Sequence, residues 1–343
     1  MQKIIIYFLI TLLLLSCAVQ AKSKKSKDSI PEWLNDPKSV YPEQLYLSAI
    51  GEGDSRSEAE NYAAANLAKI FESKVKTDEL INQRYQELIT TDDFSYEDQT
   101  DVSKSVQINS EQTLFNIQFA ESYTDKLGRV HVLAYLPRMK TGELYEEKIL
   151  NNAERIAYFL KSKDQDDDVL VKYSAVSAAA AISANNEVLL DQLSIISPDT
   201  KEFIQLDYQH DQIMKEASRA AKDIKFKLNI TNDTDNKIGI IMDEMFTDLG
   251  FVMAEPAIIK VDGEITFEET ELARDDDYIF ARYELQLKIR DPQDNIIAAL
   301  SESGREGHNT YLEAKERAIR TLKKKIRNSL QKKILSYFNN LAC

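Results

Sequence analysis

The chain has 343 residues, 43% hydrophobic and 29% charged, and its 57 acidic against 43 basic side chains give a net charge of −14. That balance suits a globular chain with a buried core and argues against the broad basic footprint of a nucleic-acid binder. Cys17 and Cys343 are the only cysteines; if Cys17 is modified as argued next, no intrachain disulfide can form and the fold rests on packing. Cys343 then reads as an inert terminal thiol, with an intermolecular bridge as the alternative.

The N-terminus predicts export. One lysine, Lys3, precedes residues 4–15, which are apolar apart from the mildly polar Tyr7 and Thr11. Such a stretch fits a signal-peptide hydrophobic region and falls short of the ~20 residues a spanning helix needs. Leu14-Leu15-Ser16-Cys17 follows and resembles a lipobox. It predicts a signal peptide over 1–16, cleavage before Cys17, and acylation of that thiol and of the new amino group. Two or more acyl chains give a stable anchor where one is marginal. Val19-Gln20-Ala21 also satisfies the small-residue rule for ordinary cleavage; the cysteine's position at the end of the apolar run favours Cys17. Residues 17–30, including the basic KSKKSKDS at 22–29, form a lipidated tether. The expected partner at this end is the membrane. With Ala18 rather than aspartate after the cysteine, the expected address is the outer membrane, on its periplasmic or surface face.

Residues 45–51 (LYLSAIG) alternate as a strand. Gly51 and Gly53 permit a tight turn, and Ser55 with Glu58 has capping-box spacing. The helix that follows carries Ala59, Ala63, Leu67, Ile70 and Phe71 on one face; its early alanines would let it lie close to a sheet. Gly51-x-Gly53 before a helix invites a phosphate-loop reading, but the third glycine is missing and Glu52 and Asp54 would repel phosphate. Residues 90–107 are aspartate-rich and predict a polar excursion. Phe115, Ile117, Phe119 and Tyr123 alternate, then Val130, Val132, Ala134 and Leu136, giving two strands joined through residues 125–128. The order is strand, helix, strand, strand.

PEWL at 31–34, YLSAIGEGDSRSEAENYAAANLAKI at 46–70 and RVHVLAYLPR at 129–138 together resemble the LPP-twenty lipoprotein family. The resemblance spans residues 31–138, about a third of the chain, and the lipobox agrees with it. It implies a dodecin-like β-α-β-β fold, self-association, an outer-membrane location, a flagellar association in some members, and no known catalytic residues. The insert at 90–107 is longer and more acidic than the family pattern. Trp33 reads as a packed cover residue rather than a stacking platform.

Residues 139–223 predict a helical connector. A helix over 140–161 buries Leu144, Ile149, Ala153, Ile156 and Leu160. Asp164, Asp166 and Asp168 have the spacing that opens a calcium loop, but Val169 stands where glycine is needed and Ala175 where glutamate is needed, so a solvated turn is expected. Two short helices over 169–183 and 187–196 follow. Residues 224–343 predict a second domain. It has a strand at 225–230, a helix over 237–249 closed by Gly250, and strands at 251–254, 258–269, 278–290 and 295–303. A long helix over 309–341 then buries Ala318, Leu322, Ile326, Leu330, Ile334 and Phe338. The fold class is α+β: a dodecin-like β-α-β-β domain, a helical connector, and a helix-covered antiparallel domain.

The last helix is basic, with Lys315, Arg317, Arg320, Lys323, Lys324, Lys325, Arg327, Lys332 and Lys333. Such a face can attract anionic lipid or glycan or simply be solvated, and solvation is favoured. His131, His210 and His308 are far apart and in no metal spacing, and no nucleophile or phosphate-loop motif is present. No cofactor, metal or enzyme activity is expected. The expected role is a structural or protein-interaction lipoprotein of the envelope, an envelope or flagellar scaffold. The alternative is a transport or assembly accessory that binds an anionic ligand through the basic helix.

Overall fold

Alanines set the geometry of the first sheet. In the computed structural model, which describes residues 30–71, 83–88, 106–109, 112–271 and 278–342, strand β1 (Tyr46–Gly53) carries helix α3 (Arg56–Ala68) directly on one face. Ala59 and Ala63 are fully buried there, and a Cβ on Gly51 would lie 2.1 Å from the Ala63 amide nitrogen. Gly51 and Gly53 therefore belong to the strand rather than to the expected turn; they make room for the helix. Ser55 caps α3 by accepting from the Glu58 amide, while the Glu58 carboxylate accepts from the Asp54 amide at 2.8 Å. The helix ends at Ala68, so Ile70, expected on the buried stripe, is exposed.

Two short helices, α1 (Glu32–Asn35) and α2 (Pro37–Val40), precede β1, and Trp33 in α1 is buried as the sequence implies. β1 pairs antiparallel with β6 (Val130–Pro137), which in turn pairs with β4 (Gln118–Phe119) and β5 (Tyr123–Thr124). The strand expected through Phe115 and Tyr123 is thus broken. The break follows Asn116, which adopts φ 60° and donates its buried amide to Thr141 Oγ1 at 3.0 Å. The β5–β6 turn closes on Asp125, which accepts from the amides of Leu127 and Arg129. Hydrogen bonds from His131 and then from Arg129 hold the Asp125 carboxyl below its usual range. That contribution to stability is complete above the ordinary carboxylate value and is lost as pH falls through the lowered one. Residues 90–105 of the acidic excursion lie outside the described residues. Its end, Val106–Asn109, is strand β2, paired with β3 (Gln112–Leu114).

Helices α4 (Arg138–Ser162) and α5 (Val169–Ile196) follow, then α6 (Pro198–Phe203) and α7 (His210–Asp223). On α4 the buried stripe runs through Thr141, Tyr145, Ile149, Asn152, Ile156 and Phe159, turned slightly from the expected one. The two helices expected over 169–196 are one helix of 28 residues, about 42 Å long. Asn186, which would disfavour a helix interior, is fully buried and donates to the Ile149 carbonyl and the Tyr208 hydroxyl, both at 3.0 Å; its carbonyl accepts from Asn152 at 2.8 Å. Satisfied buried polar groups of this kind fix helix register. Asp168 caps α5 by accepting from the Leu170 amide.

Residues expected as a connector enter every core. Leu189, Leu193 and Ile196 of α5 pack with Tyr145, Ile149, Ile117 and Leu47 in the first unit. Ala178–Ile182 pack with Phe159 and Ile213, and Leu170 and Tyr173 enter the second unit's core. Ile117 is therefore covered by its own chain. Phe115 likewise meets the Tyr145 ring edge-on.

The second sheet has the order β11-β10-β9-β7-β8, with β7 (Lys225–Thr231), β8 (Val252–Met253), β9 (Ile259–Glu271), β10 (Ile279–Arg290) and β11 (Ile296–His308). Contrary to the antiparallel expectation it is mixed, because β7 runs parallel to both β8 and β9. Helix α8 (Lys237–Asp248) supplies the crossover that parallel neighbours require. One face alternates inward, with Val261, Ile265, Leu285, Leu287 and Ile289, under α8, α9 (Tyr311–Lys325) and α10 (Gln331–Ala342); the other is polar, as in a half-solvated sheet. All six expected positions on the last helix are fully buried. They recur every four residues, so on a regular α-helix each would fall ~40° further round than the last; the π-helical segment Ile326–Leu330 resets the stripe.

Residues 83–88 are helical and bring a cation into this junction. Arg84 is buried, donates to Ser177 Oγ and to the Ser174 carbonyl, and lies 5.6 Å over the Tyr173 ring. Its Nε meets no acceptor among the described residues, and burial lowers its pKa. Desolvation of a buried cation often outweighs what its contacts return. Arg84→Met is expected to be neutral or to stabilise the protein by about 1–2 kcal/mol in urea denaturation. A loss of comparable size would show that the serine and tyrosine contacts dominate.

Candidate functional site

The residues that tie the N-terminal segment to the fold converge where β1 begins and β6 ends. Pro137 terminates β6, and the Arg138 amide donates to the Leu45 carbonyl at 2.9 Å. The Arg138 guanidinium then reaches two segments: Nε donates to the Glu43 carbonyl at 2.7 Å, and Nη1 to the Ile195 and Ile196 carbonyls at 2.6 and 2.8 Å. Those last two belong to the C-terminal turn of α5, whose carbonyls lack helical partners and whose dipole favours a cation. Partial burial lowers the Arg138 pKa. The sequence gives Arg138 no role beyond the end of RVHVLAYLPR, because its acceptors are carbonyls more than fifty positions away.

Tyr46 and Tyr135 stand on the sheet face away from α3, and Tyr41 packs on both, with centroids 5.3 and 4.6 Å away. Desolvation pushes the Tyr41 hydroxyl pKa up. Beside this cluster runs an open groove of about 510 Å³ lined by Asp36, Lys38, Glu43, Tyr46, Ile70 and Arg138, among others. Two of its charges are matched: Lys38 pairs with Glu43 at 2.7 Å, which raises the lysine pKa and lowers that of the glutamate. Ile70, which lines it, is 39% exposed, and, close in sequence to other lining residues, Leu45, Met139 and Val40 are 60%, 77% and 40% exposed.

The other residues singled out in the sequence lie apart. Cys17 and Cys343 are outside the described residues. His131 sits on β6 with Asp125 at 3.2 Å and Glu52 at 3.9 Å; His210 meets Ser183 Oγ at 3.0 Å; His308 pairs with Glu313. Among the described residues no group of three His, Cys, Asp or Glu side chains is placed to hold a metal ion. The aspartates at 164–168 form the turn before α5. Most of the basic helix is engaged within the chain. Lys315 pairs with Asp235, Lys323 with Glu244, Arg327 with Glu244 and Asp248, and Lys325 with Glu302. Arg317 and Lys333 donate to the Gly307 and Ala299 carbonyls of β11.

No family model and no curated protein matches the chain. Among solved structures it is similar to a minor lipoprotein from Acinetobacter baumannii, with 16% identity over 31% of this chain and 90% of that one and a TM-score of 0.26. It is also similar to a secreted protein from the human pathogen Helicobacter pylori, with 11% identity over 82% of this chain and 97% of that one and a TM-score of 0.39.

Proposed function

We propose that the chain is a lipid-anchored protein of the cell envelope, held by acyl groups on Cys17 and acting through contact with envelope proteins or further copies of itself rather than through catalysis. The observation that carries this reading is the lipobox Leu14-Leu15-Ser16-Cys17, followed by a short polar tether that ends at Ile30, where the described fold begins. No helix among the described residues is long and apolar enough to cross a membrane; the acyl chains supply the attachment instead. The resemblance of residues 31–138 to the LPP-twenty lipoproteins supports an outer-membrane address and a scaffold role, flagellar or general. The histidines support a non-catalytic reading, since each is engaged locally in a different part of the fold.

Cys17→Ser is expected to abolish acylation, because only the thiol accepts the diacylglycerol. Metabolic palmitate labelling should fall to background, and the protein should leave the membrane fraction. Labelling that persists in the variant would sink the proposal. Crosslinking on intact outer membranes followed by affinity capture then tests the scaffold role: specific protein partners support it, whereas glycan or lipid alone would favour an accessory.

A further inference from the structure

We propose that β11 is a self-pairing edge: two copies of the chain join antiparallel through residues 301–305, about a two-fold axis at Ser303, so that their second sheets become one. This rests on the self-contact in the function proposed above, gives it a place, and does not depend on the lipid anchor. The two edges of the sheet differ. β8 at one edge has 2 residues, whereas β11 at the other has 13. A long open edge is a template for another strand. Which of its backbone groups face outward is set by the helices beside it. Lys333 Nζ donates to the Ala299 carbonyl at 2.7 Å and Arg317 Nη1 to the Gly307 carbonyl at 3.1 Å. The ladder gives the same parity. At the hairpin the Asp291 amide donates to the Asn295 carbonyl, and past the bulge the pair Lys288–Ala299 is of the non-hydrogen-bonded kind, as is every second pair after it. Residues in such pairs turn their amide and carbonyl away from the neighbouring strand. Ser301, Ser303 and Arg305 belong to that series, and among the described residues no side chain engages their outward groups.

The open window is symmetric, which is what pairing with a second copy requires. Ala299 and Gly307, whose carbonyls are already engaged, lie equally far before and after Ser303. An axis at Ser303 sets that residue against itself, Ser301 against the second copy's Arg305, and Glu302 against its Gly304. All the open residues of both strands then find open partners. An axis shifted by one residue either way sets Ser301 or Arg305 against an engaged one. Within the window every facing pair contains serine or glycine and no charge meets its like, so the strands can close to ~4.8 Å. Charge at the ends is complementary as well. Glu302 is already paired with Lys325. Glu306 accepts from the Thr321 hydroxyl at 2.8 Å and is in no ion pair among the described residues. It comes opposite Leu300 of the second copy, next to the Ala299 carbonyl that holds Lys333. The edge lysine of each copy is thus brought to a carboxylate of the other.

The test is disulfide trapping in cells that make the full chain with Cys343→Ser. Ser303→Cys, Ser301→Cys and Arg305→Cys are each oxidised alone, and Ser301→Cys is also combined with Arg305→Cys on a second, differently tagged copy. Across the axis position 303 faces itself within the span of a disulfide. Position 301 faces 305 and lies ~14 Å from its own counterpart. The expected result is covalent dimer at 303 and between 301 and 305, several-fold above the level given by Leu127→Cys, an exposed site on the first unit. Positions 301 and 305 alone should stay at that level. Adding Ser303→Lys to the 301 and 305 pair should bring the mixed dimer down to it, because two cations then stand opposite each other. Within its own sheet position 303 is exposed and faces Glu284, so the lysine is accommodated and the thermal melt should not change. Equal trapping at 301, 303 and 305 alone overturns the two-fold register and the proposal with it. Trapping at 303 to a different protein overturns it in favour of another chain's strand, and no dimer above the control overturns it outright. Flotation of the same samples reads the anchor separately. The expected dimers in protein that does not float support the pairing and overturn the anchor; floating protein without them does the reverse.

Discussion

Gly51→Ala is expected to destabilise the first unit by about 3 kcal/mol or more, at or above the usual range for overpacking. The added methyl would sit 2.1 Å from the Ala63 nitrogen, 2.3 Å from the Ala59 carbonyl oxygen and 2.7 Å from the Ala63 Cα. All three are backbone atoms, so no side chain can swing aside; α3 must lift from β1 along its length. Lifting it would also open the contacts of Leu67, Phe71, Ala134 and Leu136, which share that core. Gly128→Ala is the matched control. Gly128 has φ +84° and open space around its Cβ position, so alanine there meets backbone strain alone, about 1 kcal/mol. Urea denaturation followed through Trp33, the only tryptophan, reads the first unit directly. If Gly51→Ala matched Gly128→Ala in size, α3 would have room to step back and close packing would not hold this sheet.

How much was legible follows from how local each signal is. The Ala59–Ala63 stripe, the Ser55–Glu58 cap and the four-residue repeat from Ala318 to Phe338 are patterns within one element, and each appears in the structure as read. Gly51 was legible as special but not for its reason, because the sequence does not show what crosses above a strand. The continuity of α5 was missed because Asn186 lowers helix propensity, and the groups that satisfy it, the Ile149 carbonyl and the Tyr208 hydroxyl, belong to other elements. The parallel pairing of β7 was missed although its signal was present, since a strand, a helix and a further strand make the crossover that parallel neighbours need. Arg138 and the outward-facing Leu45 and Met139 could not be read at all. Their environment is set by the C-terminus of α5 and the end of β6, which meet only in the folded chain.

The length of α5 makes a prediction about how the protein unfolds. Phe338 on α10 is fully buried and meets Tyr173 and Phe251 edge-on, with centroids 5.0 and 5.6 Å away. Tyr173 belongs to α5, so this aromatic contact fastens one end of that helix to the second unit. Phe338→Ala is expected to cost about 3–5 kcal/mol, the range for emptying a buried aromatic site. The other end of α5 places Leu189, Leu193 and Ile196 in the core of the first unit, beyond reach of any direct contact with Phe338. If α5 is one cooperative element, the loss must travel along it. Trp33 fluorescence, which reports the first unit, should then move to lower urea by the same amount as far-UV circular dichroism, which reports both, because coincident transitions mark a single cooperative unit. A Trp33 midpoint left at its original position while circular dichroism develops a second, earlier transition would show the opposite. In that case α5 would come apart within its alanine run, Ala178–Ala181, and the two units would unfold independently despite sharing a helix.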